Sequence, residues 1–336
     1  MTDASPTPVL RQMIMGFLAT HLLRVMAELR LADLLTDGPR SSDELAGLLG
    51  AHAGALQRVL RGLAQLGVLS AEDDRFELTP TGHLLRSDVP GSLRASARMW
   101  GSHFFQRAFL NLLHTVKTGE RAFDYTFGQD FFGYLAEHPE AAAIFHAGMA
   151  GGSARSSERV LSTYDFSGVS TLVDVGGGYG ATLVALLRSN PGLRGIIFDL
   201  PQLAGEAQQV LVTAGLTSRA QFMAGSFFDA VPEAADGYLL KRILHDWDDP
   251  ESVTILRNCR QAMAARGKVL VVDHVLPPGN APALRQVAID IAMLVLLKGR
   301  ERTEADFRRL FEQAGLRLVR TIPVEGEPHL LEAVPA

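Results

Sequence analysis

Residues 171–201 have the sequence TLVDVGGGYGATLVALLRSNPGLRGIIFDLP, which is typical of a strand, a glycine turn, a helix and a second strand. The apolar, β-branched run at 172–175 indicates a strand buried on both faces. The glycine-rich turn Gly176–Gly180 allows backbone N–H groups to approach a ligand closely. The second strand delivers Asp199 to the carboxyl edge of the sheet, where an acid can bind ribose hydroxyls. This stretch therefore predicts a nucleoside-binding βαβ unit.

The same turn also satisfies a dinucleotide fingerprint, because Gly176-x-Gly178-x-x-Ala181 matches its spacing. Two features argue against a nicotinamide cofactor. Asp174 places an acid inside the buried strand, where it needs polar partners, and the unit begins about halfway along the chain. A tight turn without any ligand is the simplest alternative, and Asp199 argues against it. The turn by itself leaves the identity of the nucleoside open.

Length and composition indicate a soluble two-domain enzyme. The chain has 336 residues, 47% of them hydrophobic and 21% charged. A net charge of −5 and an isoelectric point near 6.1 provide no general attraction to nucleic acid or to anionic membranes. Cys259 is the only cysteine, which excludes a disulfide framework and favours a reducing compartment. Because no secretory signal and no membrane-spanning apolar run is present, we expect a cytoplasmic protein.

The N-terminal part resembles a winged helix–turn–helix in its pattern of elements. Residues 10–36 are apolar on more than one helical face, which predicts burial in a core or against a second chain. A capping box at 41–44 begins one helix, a second helix follows over 53–66, and two short strands flank the acidic tip 71–74. Residues 31–90 contain nine acids and five Lys or Arg, so their net charge is 5 − 9 = −4. This balance opposes DNA binding and favours a structural or dimerisation module.

Beyond Asp199, strands and helices continue to alternate as far as 268–273, which predicts a mostly parallel, doubly wound sheet. Between the two halves, residues 96–165 are predicted to be a helical linker rich in aromatic residues and methionine. Apolar ligand clefts tend to form in such a position between domains.

Five motifs in order, VDVGGGYG, FDLP, GSFFD, LKRILHDWDD and GRERT, resemble those of the S-adenosylmethionine-dependent O-methyltransferases of the plant-caffeate and bacterial-polyketide type. The resemblance covers nearly the whole chain. It implies an α/β fold, a Rossmann-like doubly wound sheet preceded by an all-α winged-helix dimerisation domain. The implied domains are residues 1–95 for dimerisation, 96–165 for the helical linker and 166–336 for the catalytic domain.

The resemblance also implies the cofactor, S-adenosyl-L-methionine, which becomes S-adenosyl-L-homocysteine, and it implies no metal. Gly176 and Gly178 are expected near the methionine moiety, Asp199 on the ribose hydroxyls and Phe227 on adenine. The remaining residues that the family assigns to cofactor binding are Ser153, Asp174, Leu200, Ser226 and Lys241.

His245 matches the catalytic base of the family, and Asp273 and Glu301 match the two acids that orient it. A sulfonium methyl group is already activated, so the enzyme has to align the reactants and remove a proton from the acceptor. A positioned histidine contributes typically about 10²–10⁴-fold to such a reaction. The alternative for His245 is a structural histidine at the start of a helix, beside acids that cap it.

The substrate is expected to be a small hydroxylated aromatic compound, bound by residues on several elements. These residues are Met99, Trp100, Phe131, Phe145, Met149, Asp246, Asp290, Met293, Leu294, Leu297 and Lys298. Asp246 equally suits helix capping. We hypothesise that Lys298 receives a substrate carboxylate or an acidic phenol; a solvated lysine is the alternative.

Three positions depart from the family pattern. Ser226 replaces an Asp that contacts adenine in many plant members, and Asp273 is one methylene shorter than the Glu found there. Lys298 replaces a Gly or another small residue.

The sequence thus predicts a homodimeric, metal-independent O-methyltransferase of bacterial secondary metabolism that binds neither nucleic acid nor membranes. Three alternatives remain: a relative that uses the cofactor for another reaction, a nicotinamide oxidoreductase, and a winged-helix sensor of a small molecule.

Overall fold

The computed structural model describes residues 6–277, 279, 282–324 and 328–336, without the side chains of 150–158. The chain forms two compact units. The smaller unit comprises Met1–Leu110 and Phe132–Ser153, and the larger comprises Asn111–Phe131 and Ala154–Ala336. The three-segment division expected from the sequence stays a prediction. In the structure, the segment between the two halves is shared by both units.

The smaller unit begins with short helices and a three-stranded sheet in the order β1-β3-β2. Its elements up to residue 110 are α1 (Pro6–Ile14), α2 (Phe17–Glu28), α3 (Leu31–Leu34), β1 (Arg40–Ser41), α4 (Ser42–Leu49), α5 (Ala53–Gln65), β2 (Leu69–Glu72), β3 (Arg75–Leu78), α6 (Pro80–His83), α7 (Arg94–Trp100) and α8 (His103–Phe109). The capping box predicted at the start of α4 is present, since the Glu44 N–H donates to Ser41 Oγ and the Ser41 N–H donates to Glu44 Oε2. The two strands predicted around the acidic tip are β2 and β3, and Asp73 adopts a φ of 53° in the turn that joins them.

The apolar stretch at 10–36 is divided into α1, α2 and α3. Met26 and Leu31 are fully buried in the core of the smaller unit, whereas Leu10, Ile14 and Phe17 are exposed. The exposed apolar side chains at the beginning of the chain suit the expected contact with a second chain.

Four helices connect residue 110 to the large sheet: α9 (Leu112–Thr118), α10 (Ala122–Phe127), α11 (Phe131–Glu137) and α12 (Pro139–Leu161). The elements that follow are β4 (Thr171–Val175), α13 (Ala181–Ser189), β5 (Arg194–Asp199), α14 (Ala204–Thr213), β6 (Ala220–Ala224), β7 (Gly237–Lys241), α15 (Asp249–Ala262), β8 (Lys268–Asp273), β9 (Val275–Leu276), α16 (Leu284–Leu296), β10 (Arg302–Thr303), α17 (Glu304–Gln313), β11 (Leu316–Ile322) and β12 (His329–Pro335).

Seven of these strands form one sheet in the order β11-β12-β8-β7-β4-β5-β6. The strands from β8 to β6 pair in parallel, and β12 pairs antiparallel with both β8 and β11. Val173 and Val175 belong to the core on one face of the sheet, and Leu172 belongs to the core on the other face. The expected doubly wound sheet with strands buried on both faces is therefore confirmed.

Among the described residues, no single helix is long and apolar enough to cross a membrane. Only α1 and α2 taken together meet that length and composition, and they are bent by 44° at the break between them.

Candidate active site

The turn after β4 lies at the carboxyl edge of the parallel strands and contacts the end of β5. Gly176 and Gly178 have φ values of 69° and 57°, a backbone region that L side chains rarely adopt. The Gly178 N–H donates to Asp199 Oδ2 at 2.8 Å, and the Leu200 N–H donates to Asp199 Oδ1 at 2.7 Å. A Cβ at Gly176 would overlap the Ile243 side chain just beyond β7. The glycine turn and Asp199 are thus brought together, and a side chain at Gly176 would be strained in this backbone conformation.

A buried acid, Asp174, and a half-buried lysine, Lys241, lie on the adjacent strands β4 and β7. Burial raises the pKa of Asp174 to about 7, although Lys241 opposes this shift. Burial lowers the pKa of Lys241 to about 8, although Asp174 opposes that shift. Asp174 Oδ2 has no hydrogen-bond partner among the described residues. A buried carboxylate oxygen of this kind calls for a donor, which a bound ligand with an ammonium or hydroxyl group would provide.

Beyond β6, the segment that contains Ser226 and Phe227 lies beside the glycine turn. A Cβ at Gly176 would lie 3.6 Å from Phe227 Cε1, at van der Waals distance. Ser226 Oγ accepts a hydrogen bond from the Phe228 N–H at 3.2 Å, so this hydroxyl caps its own turn. The Asn258 side chain donates to the carbonyl of Phe227 at 2.8 Å and to that of Phe228 at 3.0 Å. Asn258 fixes the segment from α15, and no sequence motif indicated it.

His245 lies in a 3₁₀ turn directly after β7 and is only 3% exposed. Its Nδ1 is 3.0 Å from Glu301 Oε1. The Glu301 N–H in turn donates to Asp290 Oδ1 at 2.8 Å. A Cβ at Gly299 would overlap the carbonyl oxygen of His245, so this glycine lets the segment before β10 approach the histidine backbone. The structure therefore brings His245, Glu301 and Asp290 together from three separate segments.

The second ring nitrogen of His245 has two neighbours of opposite charge. Arg242 Nε donates to His245 Nε2 at 3.3 Å, and Asp246 Oδ1 lies 3.2 Å from the same nitrogen. Arg242 has a φ of 60°, unusual for a residue with a side chain, and its backbone N–H donates to the Val272 carbonyl at 3.0 Å. Arg242 was not among the residues predicted from the sequence. The available signal was a cation three residues before the histidine in LKRILHDW.

The charges around His245 act in opposite directions on its pKa. Burial and Arg242 lower the pKa of His245, but Asp246, Glu301 and Asp273 raise it, and the net result is a raised value. Burial raises the pKa of Asp246, with His245 and Arg242 opposing. The pKa of Glu301 is lowered because its hydrogen bond and ion pair with His245 outweigh the effect of burial. Such a cluster titrates as a group.

Asp273 differs from Glu301 although both were expected to orient His245. It is fully buried at the end of β8, and neither of its carboxylate oxygens has a hydrogen-bond partner among the described residues. Burial raises the pKa of Asp273 to about 7, with His245 opposing. The shorter side chain thus influences His245 through its charge and not through a hydrogen bond.

Arg302 stabilises the segment that carries the histidine, a role that was not predicted from the sequence. Its guanidinium is completely buried and donates to the carbonyls of Leu244 at 2.5 Å and Trp247 at 2.8 Å. It also binds Asp249 Oδ1 at 2.8 Å, at the start of α15. The GRERT motif therefore supplies two functions from adjacent positions, the acid that binds His245 and the arginine that fixes the backbone on either side of it.

Several residues expected at the substrate lie in the larger unit. A cleft of about 540 Å³ is lined by Arg121, Leu294, Leu297 and Lys298 among others. Lys298 Nζ forms an ion pair with Glu251 Oε1 at 2.8 Å and is partly exposed. Of the other predicted residues, Met293 is buried in α16, and Phe131 is buried with its ring 5.1 Å from that of Phe123.

The remaining predicted substrate residues lie in the smaller unit. Met99 packs against Gly148, and the Trp100 ring lies 5.5 Å from that of Phe105. Phe145 and Met149 are half-buried in α12. The side chain of Ser153, predicted to contact the cofactor, lies outside the described residues. Whether the residues of the two units form one pocket stays a prediction.

Comparisons with known proteins agree on one family. An O-methyltransferase domain model matches residues 109–317, and an O-methyltransferase dimerisation domain model matches residues 11–88. A phenazine O-methyltransferase of Lysobacter antibioticus is 45% identical over 97% of this chain and 96% of that protein. The solved structure of LaPhzM has a TM-score of 0.94 at 44% identity and covers 99% of this chain and 100% of that one.

A third similar protein was solved with ligands. It is an O-methyltransferase from neocarzinostatin biosynthesis, in complex with S-adenosylmethionine and 2-hydroxy-5-methyl naphthoic acid. Its TM-score is 0.83 at 34% identity, covering 95% of this chain and 96% of that one.

Proposed function

Because this chain belongs to the S-adenosylmethionine-dependent O-methyltransferases that act on small aromatic natural products, we propose that His245 is the base that deprotonates the acceptor hydroxyl. The observation that carries this proposal is the buried contact of 3.0 Å between His245 Nδ1 and Glu301 Oε1. A carboxylate on Nδ1 holds the proton on that nitrogen, which leaves Nε2 as the free base.

The residues around the glycine turn suit the cofactor. Asp199 ends β5 with both carboxylate oxygens fixed by backbone donors, and this position suits the ribose hydroxyls. The unpartnered oxygen of Asp174 suits the ammonium group of the methionine moiety, and Phe227 beside Gly176 suits packing on adenine. When bound, S-adenosylmethionine supplies an activated methyl group whose bonding electrons remain on sulfur. Leu200, Ser226, Lys241 and Ser153 complete the proposed cofactor-binding set.

The protein then contributes alignment and proton removal. A phenol has a pKa of about 10 and a histidine one of about 6.5, so transfer of the proton to an unperturbed histidine is uphill. The raised pKa of His245 reduces this difference. As the acceptor O–H bond breaks, its proton bonds to Nε2, and the oxygen electron pair forms the new C–O bond. Glu301 stabilises the imidazolium that results.

For the substrate, we propose a planar aromatic compound with a ring hydroxyl, of the phenazine or hydroxynaphthoate type, used in antibiotic biosynthesis. The support is the likeness to the phenazine enzyme and to the naphthoate-bound structure, together with the apolar side chains of Leu294 in α16 and Leu297 directly after it, which line the cleft.

The test is incubation of the full chain with methyl-labelled cofactor and a panel of hydroxylated phenazines, naphthoates, anthraquinones and catechols. We expect one class to be labelled on oxygen, and we expect its pre-methylated ether to remain unlabelled as the matched control. Labelling on a ring nitrogen, or binding of S-adenosylhomocysteine without labelling of any phenol, would contradict the proposal.

Lys298 is proposed to receive an acidic group of the substrate. It lines the cleft beside Arg121, and its ion pair with Glu251 is partly exposed and therefore easily exchanged. We expect Lys298→Ala to raise the KM of a substrate carboxylic acid severalfold and to leave the KM of the corresponding methyl ester unchanged. An unchanged KM for the acid would show that Lys298 is only a solvated surface lysine.

We also propose that the enzyme is a cytoplasmic homodimer that binds neither nucleic acid nor membranes. The dimerisation-domain match, the exposed apolar residues of α1 and α2 and the acidic balance of the winged segment support this. Light scattering should give twice the chain mass of 36.3 kDa. A mobility shift with DNA at low salt, or co-sedimentation with anionic vesicles, would contradict the second part.

A further inference from the structure

The environment of His245 Nε2 contains a donor and an acceptor that cannot both be satisfied by one protonation state. Arg242 Nε lies 3.3 Å from Nε2 and donates to it, which requires a nitrogen without a proton. Asp246 Oδ1 lies 3.2 Å from the same nitrogen and forms a favourable ion pair only when the ring is charged. The two neighbours therefore favour opposite states of one ring.

We propose that Arg242 and Asp246 are opposed positioning residues, Arg242 keeping Nε2 free of a proton before methyl transfer and Asp246 stabilising the protonated ring after it. The inference rests on the proposed role of His245 as the base. It adds how the His245 ring is kept unprotonated at Nε2 before the reaction and how the protonated ring is stabilised afterwards.

The resting arrangement explains how the base is kept in the correct tautomer. With Glu301 accepting at Nδ1 and Arg242 donating at Nε2, both ring nitrogens are occupied in a way that only the neutral Nδ1–H form satisfies. The side-chain Nε–H of Arg242 thereby occupies the position at His245 Nε2 that the hydroxyl of the methyl acceptor must take. A substrate hydroxyl that donates to Nε2 must displace it.

Proton transfer then exchanges the partners. The O–H bond of the substrate breaks and the proton bonds to Nε2, which becomes a donor with a positive charge. A guanidinium on that nitrogen is now repulsive, because both groups are cationic donors, whereas the Asp246 carboxylate is attractive. When Nε2 later loses its proton to water, the arrangement with Arg242 is restored.

The backbone of Arg242 shows that this position is specifically built. A φ of 60° is sterically unfavourable for a residue with a Cβ, and the Arg242 N–H is fixed by the Val272 carbonyl of β8. This conformation turns the chain between Lys241 at the end of β7 and the histidine. It allows one short segment to present both Arg242 and Asp246 to the same ring.

The other charged groups around His245 face the ring in both of its protonation states. Glu301 contacts Nδ1 from the segment before β10, and Asp290 of α16 accepts from the Glu301 backbone. Asp273, at the end of β8, influences the ring by its charge, and burial lowers the pKa of the following His274 to about 4. These groups set the average charge of the site, whereas Arg242 and Asp246 are the pair located at the nitrogen that exchanges the proton.

The first measurement needs neither cofactor nor substrate. We would titrate the full chain by NMR with histidine labelled at Cε1, and assign the His245 signal with His245→Gln. Arg242→Met should raise the pKa of His245 by about 1, since removal of a nearby like charge favours the protonated ring. Asp246→Asn should lower it by a similar amount, and Arg242→Lys, which keeps the charge, should remain close to the wild type.

The second measurement is the pH profile of kcat/KM with the substrate identified by the panel. Arg242→Met should move the acidic limb to higher pH, so that kcat/KM at pH values below that limb falls about tenfold when the pKa of His245 rises by about 1. Asp246→Asn should move the limb to lower pH. A merely structural role would reduce kcat without moving the limb in opposite directions, and Arg242→Gln replaces Arg242→Met if the latter does not fold.

The two hypotheses fail separately. If His245→Ala abolishes turnover but neither variant shifts the titration of His245, the opposed pair is wrong and the base assignment stands. If the titration shifts as expected but His245→Ala turns over like the wild type, the pair exists without the proposed catalytic role and the inference is overturned with it.

Discussion

The glycine turn and the histidine cluster lie at the same edge of one sheet, but they are held by different kinds of contact. Asp199 is fixed by backbone N–H groups 1 and 21 residues away in the chain. His245 is bound by a side chain 56 residues away, and its segment is fixed by Arg302 from a similar separation. The proposed cofactor side is thus a local structure of the backbone, whereas the proposed catalytic side is an assembly of buried side chains. Damage to one region should therefore leave the other largely intact.

The largest expected effect separates chemistry from cofactor binding. His245→Ala should lower kcat by about 10²–10⁴-fold, because a positioned base is lost. The Kd for S-adenosylhomocysteine, measured by calorimetry, should stay within error of the wild type, since the hydrogen bonds of the His245 ring go to Arg242 and Glu301 and not to the glycine turn. His138→Ala, at an exposed histidine, is the matched control. A wild-type kcat in His245→Ala would contradict the proposal that His245 is the base.

Asp199→Ala is expected to have the opposite effect, weakening cofactor binding while leaving most of kcat. The ribose hydroxyls would lose their hydrogen bonds to the Asp199 carboxylate, each worth about 1.5–3 kcal/mol. The Kd for S-adenosylhomocysteine should therefore rise at least tenfold. At saturating cofactor, kcat should recover most of its wild-type value. Asp229→Ala, at an exposed acid beyond Phe228, should change neither quantity. A Kd that does not change in Asp199→Ala would contradict the assignment of ribose binding.

The smallest expected effect concerns Asp273, the buried acid near His245 that has no hydrogen-bond partner among the described residues. Burial raises the pKa of Asp273 to about 7, above its unfolded value, so its protonated form stabilises the fold at low pH and this stability is lost as pH rises through about 7. Asp273→Asn removes that titration. The decrease in Tm between pH 5.5 and pH 8.5 should therefore be smaller in Asp273→Asn than in the wild type.

Asp229→Asn is the control for this measurement, because an exposed acid should leave the pH dependence of Tm unchanged. If Asp273→Asn lost more stability at pH 8.5 than at pH 5.5, the carboxylate would have a stabilising partner when ionised. The contrast with Glu301 would then disappear.

The fold and the residues of the proposed cofactor side could be predicted from the sequence because their signals are local. The spacing from β4 to β5 already defines a strand, a turn and an acid at the sheet edge, and the alternation of later elements predicts the parallel sheet. The five motifs then selected the family, which the comparisons confirm. No long-range contact had to be known for these conclusions.

The tertiary structure alone decided how the motif residues divide their work. The resemblance gives Asp273 and Glu301 the same role, yet Glu301 contacts His245 Nδ1 at 3.0 Å whereas Asp273 has no hydrogen-bond partner among the described residues. Ser226 uses its hydroxyl on its own turn, and Lys298 pairs with Glu251. Arg242 and Asp246 both approach His245 Nε2, and Arg242 does so from a left-handed backbone conformation with a φ of 60°. Sequence spacing determines which strand end a residue occupies, but the direction of a side chain and its distance to a distant partner depend on packing.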